Sequence, residues 1–95
     1  MSYIEKIMSR IADLTDGLDE TLLGLYALLA LTKGEDTSLE DVHDAWAAWR
    51  VQTRPDHPSL IPFDQLTPEV QELDRPYMDA IRVVAREIAT TGSES

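Results

Sequence analysis

The chain has 95 residues, with eighteen acidic side chains against eight basic ones and a net charge of −10. That length makes one domain with a modest core, and that charge repels nucleic-acid phosphates and anionic membrane, so no direct nucleic-acid binding is expected. With no cysteine in the chain, disulfides, thiolate metal sites and a cysteine nucleophile are excluded.

The opening stretch "MSYIEKIMSRIADL" has charges every few residues and no continuous apolar run, which predicts no signal peptide. Ile4, Ile7, Met8, Ile11 and Leu14 recur at three- and four-residue spacing, the pattern of an amphipathic helix. Ser2 followed by Glu5 has capping-box spacing, and Asp16 with Gly17 predicts the turn that ends the helix.

A second helix is expected over about 19–33. Asp19 or Thr21 can cap it, and Lys33 with Gly34 gives a stop. Its apolar stretch "LLGLYALLALT" is about eleven residues, against the twenty or so a membrane span needs, so no membrane association is expected. Leucines cover more than one face, which predicts either a central core helix or a homodimer contact through 19–33.

The third helix, "TSLEDVHDAWAAWR", offers two caps, Thr37 with Glu40 and Ser38 with Asp41. Leu39, Val42, Trp46 and Trp49 form one stripe at about 100° per residue. His43 and Arg50 lie one turn either side of Trp46, at the edge of that stripe. The segment 54–63, "RPDHPSLIPF", follows with three of the chain's five prolines. Residues before proline avoid the helical region, so the loop is expected to be extended. Leu60, Ile61 and Phe63 should lie on the core, and "FDQL" should make a single helical turn. Thr67 caps a short helix with Pro68 at its first position, Val70 and Leu73 inward, and Pro76 breaking or kinking it. A last helix over about 75–89 should bury Tyr77, Ile81, Val84 and Ile88. A polar tail, 91–95, is expected to be disordered. The expectation is therefore an all-α domain over 1–90, a compact orthogonal bundle of four to five helices with a proline-rich extended loop.

Enzyme signatures are absent: there is no phosphate-binding glycine loop, no glycine-flanked serine and no His-Glu metal helix. Neither His43–Asp44 nor Asp56–His57 meets metal-ligand spacing. No enzyme activity, cofactor or metal is expected. The constellation that remains is His43, Trp46 and Arg50 with His57 and Pro58 of the loop. Guanidinium forks and aromatic faces suit a small flat anionic or nucleotide-like ligand. The same residues also admit a purely architectural account, with His43 bonding the loop and Arg50 paired to an acid. Trp49, Leu60, Pro62, Phe63 and Leu66 are expected in the core. The net charge admits a solvated acidic surface, a basic host-protein partner, or mimicry of nucleic-acid charge.

"EDVHDAWAAWR" followed by "HPSLIPFDQLTPEVQELDRPYMDAI" resembles the ryanodine-receptor repeat domain over about residues 40–82. The matching positions are His43, Trp46, Arg50, His57, Pro58, Leu60, Pro62, Phe63, Leu66, Asp74 and Arg75. The chain departs from that family where a Gly-Trp-x-Tyr-Gly segment is replaced by "VQTRPD". The resemblance implies a small helical module for a nucleotide-like ligand, with a pocket open on that side or absent. The stretch "LYALLALTKGEDTSLEDVHDAWAAW" also resembles small proteins of actinobacteria and their phages. The absence of cysteine fits a reducing cytoplasm, the host's cytoplasm if the chain is phage-encoded.

Overall fold

The computed structural model describes residues 2–94, with side-chain surroundings for residues 2–90. Helix α1 spans Tyr3–Leu14, α2 Glu20–Thr32, α3 Leu39–Thr53, α4 Pro68–Glu72 and α5 Arg75–Glu94. Two single 3-10 turns, Gly34–Asp36 and Phe63–Gln65, sit in the connections. No strand occurs among the described residues, so the fold is an all-α bundle. Helix α5 continues through 91–94, where a disordered tail is expected; the side chains of 91–95 lie outside the described residues.

Local chemistry explains most boundaries. Ser2 and Glu5 close a capping box at the start of α1, satisfying two of the orphan N–H groups of a helix start. Gly17 then turns the chain at φ +63°, a conformation an L side chain adopts only under strain. Asp19 caps α2 by accepting from the backbone N–H groups of Thr21 and Leu22. Of the two caps open to α3, Ser38 with Asp41 forms the box. Thr37 is instead fully buried: its hydroxyl donates to the Gly34 carbonyl, and its own carbonyl accepts from Arg82 Nε at 2.7 Å. That last bond ties α5 to the start of α3.

The core gathers Ile7 and Ile11 of α1, Leu22, Tyr26, Ala27 and Ala30 of α2, Val42 of α3, and Met78, Ile81, Val84 and Ala85 of α5. Burying an aliphatic side chain of this size contributes about 1.5–3 kcal/mol. Helix α2 is central, packed on α1, α3 and α5, yet Leu28 and Leu31 remain exposed. Its all-round leucine pattern therefore overstates its burial.

The loop differs in detail from a simple extended strap. The His57 N–H donates to the Arg54 carbonyl and the Leu60 N–H to the His57 carbonyl, so two successive turns fold it back along α3. Phe63–Gln65 makes the expected helical turn. Leu60 and Phe63 are half-buried and Leu66 is buried, but Ile61 is exposed. Pro62, expected in the core, is also exposed. It serves instead as the flank from which the turn starts, because its fixed φ suits that position. Pro76 neither breaks nor kinks a helix. It occupies the first turn of α5, where its missing N–H has no intrahelical partner to lose.

Candidate functional site

At one end of the bundle the α1–α2 turn, α2, α3, the proline loop and the α4–α5 link surround a cleft of about 600 Å³. Helix α3 lines it with His43, Trp46, Trp49 and Arg50; steps of three and four from His43 and Trp46 keep Trp49 and Arg50 on the same side of the helix. His57 and Ser59 come from the loop, Tyr26 from α2, Asp74 from the α4–α5 link and Tyr77 from the first turn of α5. A volume of this size falls in the range of small-molecule sites.

Trp46 is held on both sides. The His43 ring stacks against it with centroids 5.7 Å apart, and the His57 ring meets it edge-on at 5.0 Å. His43 is almost fully buried, and its Nε2–H donates to the Ile61 carbonyl at 2.8 Å. A carbonyl only accepts, so that bond fixes the proton on Nε2. His57 carries the complementary arrangement: its Nδ1 accepts the Ser59 N–H at 3.0 Å. The two imidazoles thus lock the loop onto α3, with the indole between them. This much matches the architectural account of His43.

Arg50 does not match it. None of the ion pairs among the described residues involves Arg50. Its guanidinium carbon lies 4.2 Å from the Trp49 ring centroid and 5.8 Å from that of Trp46. Nη1 makes one long hydrogen bond, 3.3 Å, to the Thr53 hydroxyl. Its Nε is buried without a hydrogen-bond partner. Stacking on indole is worth about 0.5–2 kcal/mol, while an unmade buried hydrogen bond costs about 1–3 kcal/mol. The aromatic shelf holds the cation in place but leaves its hydrogen bonding incomplete.

A carboxylate, that of Asp74, lines the same cleft. Asp74 is half-buried, and its backbone carbonyl accepts the N–H groups of Tyr77 and Met78, which fixes its position. Its carboxylate makes no hydrogen bond or ion pair among the described residues. Burial pushes this carboxyl above its ordinary value, and neighbouring His43 pulls it partly back. Burial likewise pushes the Tyr26 hydroxyl well up, helped by Asp74 and Tyr77, so it remains a neutral phenol. The Tyr26 and Tyr77 rings lie 6.0 Å apart.

Four of the five site residues anticipated from sequence, His43, Trp46, Arg50 and His57, therefore meet in one cleft. Pro58 is exposed and outside its lining; it stiffens the turn rather than touching the site. Trp49, expected only as core, packs half-buried against the core and also lines the cleft. Tyr26, Asp74 and Tyr77 were missed. Each sits alone in its own stretch of sequence, and only the tertiary fold brings it to α3. Among the described residues, no three His, Cys, Asp or Glu side chains cluster as a metal site, and no helix is long and apolar enough to cross a membrane.

Comparison with known proteins changes the family assignment. The profile of a domain of unknown function, DUF7701, matches residues 2–86. No curated protein and no solved structure matches the chain. The resemblance to the ryanodine-receptor repeat over 40–82 is overturned, because one different family takes in that stretch together with the first two helices. The physical reason is visible in the structure. Here His43 and His57 bracket Trp46 and hold the loop on α3, so local packing accounts for these motif residues. The chain belongs to the DUF7701 family.

Proposed function

We propose that this protein is a small binding module, and that the cleft over α3 takes a small planar ligand carrying an anionic group. The observation that carries the reading is Arg50, an ion-pair-free guanidinium laid over two indoles in a cleft of ligand size. A guanidinium in that state binds a carboxylate or a phosphate by a charge-assisted fork, and the indole faces accept a flat ring. Asp16, Asp19 and Asp74 also line the cleft. They disfavour a polyphosphate and favour a ligand with a single negative charge.

The chain has two tryptophans, and both line the cleft, so its indole N–H resonances report occupancy. Adding the dialysable small-molecule fraction from the cell that makes the protein shifts both signals in wild-type protein, and far less in Arg50→Ala. Two unmoved indole signals in wild-type protein sink the reading.

A second reading rests on the net charge of −10: an acidic protein in its host's cytoplasm, phage-encoded or bacterial, that docks a basic host protein. Capture that disappears at high salt supports it, since exposed charges are then screened. A homodimer through α2 draws on exposed Leu28 and Leu31, and a monomeric mass at micromolar concentration removes it.

A further inference from the structure

We propose that the ligand is a zwitterion of the aromatic amino-acid type, its carboxylate on Arg50, its ammonium on Asp74, and its ring against the Trp46 and Trp49 faces. The inference rests on the binding-module reading and names the chemistry that site selects. Arg50 and Asp74 line the same cleft from different elements, α3 and the α4–α5 link. They carry opposite charges, yet neither pairs with the other, and neither has any other ion-pair partner among the described residues. Both charges are partly taken from water: Arg50 has a buried Nε without an acceptor, and Asp74 is half-buried with no donor on its carboxylate.

Two opposite charges without ion-pair partners line one cleft together with an aromatic face. A purely anionic aromatic satisfies Arg50 and brings a second negative charge toward Asp74. A purely cationic one satisfies Asp74 and repels the guanidinium. Only a molecule with both groups satisfies both, and it enters a site of an already acidic protein without adding net charge. Discrimination of this kind is strong because each missing group leaves a partly buried charge without its partner. The half-buried Tyr77 ring, packed 6.0 Å from that of core Tyr26, supplies further apolar wall for the ring of the ligand.

The test is isothermal titration of wild-type protein, Arg50→Ala and Asp74→Asn with three compounds that share one ring: L-tryptophan, indole-3-acetate, which lacks the ammonium, and tryptamine, which lacks the carboxylate. Circular dichroism confirms that each variant is folded. Wild-type protein binds tryptophan at least about tenfold more tightly than either analogue, the scale of one charge-assisted hydrogen bond. Asp74→Asn erases the advantage over indole-3-acetate, and Arg50→Ala erases the advantage over tryptamine. Equal wild-type affinity for tryptophan and indole-3-acetate overturns the proposal. So does a folded Asp74→Asn variant that keeps the preference, and so does the absence of heat with all three compounds. In that last case, shifted indole resonances with the cellular small-molecule fraction keep the broader binding reading alive, so the two failures are distinguishable.

Discussion

Two side chains carry the account at the residue scale. Arg50 and Asp74 each sit where stability alone would not place them, one with a buried N–H unmade and the other with a carboxylate half-desolvated. Groups held in such a state cluster at functional sites. For Asp74 the consequence has a definite sign. Its carboxyl titrates above the ordinary 3.8 in the folded protein, so the native state binds a proton more readily than the unfolded chain. Stability is therefore lost as pH rises through the window from that ordinary value up to the folded one, and the loss is complete above it. Asp74→Asn removes the loss. The variant is expected to melt above wild type at neutral pH, by a modest margin because the group is half-exposed and partly screened. The two melting curves converge as pH falls below the ordinary carboxylate value. An Asp74→Asn variant that melts below wild type at neutral pH contradicts the desolvation described here. Stability gained together with ligand affinity lost is the signature of a residue kept for function.

Helix starts and stops were the most legible features at the element scale. The Ser2 and Ser38 capping boxes, the Asp19 and Thr67 caps, Pro68 at the first position of α4 and the positive-φ turns at Gly17 and Gly34 all follow from local backbone chemistry. Such chemistry acts within four residues, so one stretch of sequence contains it. Burial was less legible. The leucines of α2 gave no way to tell Leu22 from Leu28, because which face meets α1, α3 and α5 is decided by their packing. The proline loop lies between these cases. Its stiffness could be read from its prolines, but the bond from His43 to the Ile61 carbonyl joins residues eighteen apart. His43→Phe keeps an aromatic ring beside Trp46 and removes that donor. It is expected to cost about 1–3 kcal/mol, the penalty of an unmet partly buried carbonyl, and to speed amide exchange across 57–63. Unchanged exchange in that loop means something else holds it down.

For the whole molecule, the core and the cleft share residues: Leu22, Tyr26, Trp46 and Trp49 belong to or pack on the core and also line the cleft. The core of α1, α2, α3 and α5 is aliphatic around Tyr26, and it holds α3 so that its Trp46, Trp49 and Arg50 face is left open at the end of the bundle. The cleft needs five segments distant in sequence, which is why only its α3 and loop residues could be picked out beforehand. Asp74 entered the sequence reading only as a position of the family likeness, and the fold is what brings it into one cleft with Arg50. The same clamp also explains the mistaken family likeness: a helix-and-loop solution of limited length is a weak marker of ancestry, whereas the DUF7701 match spans residues 2–86. The central claim is that this cleft holds a small molecule in the cell. Native mass spectrometry of wild-type and Arg50→Ala protein, each purified without denaturant from its own cell, tests it most directly. An added small-molecule mass is expected on wild-type protein, released on collisional activation and absent from folded Arg50→Ala. An identical retained mass on both proteins contradicts it, as does a bare chain mass for wild-type protein isolated at low salt.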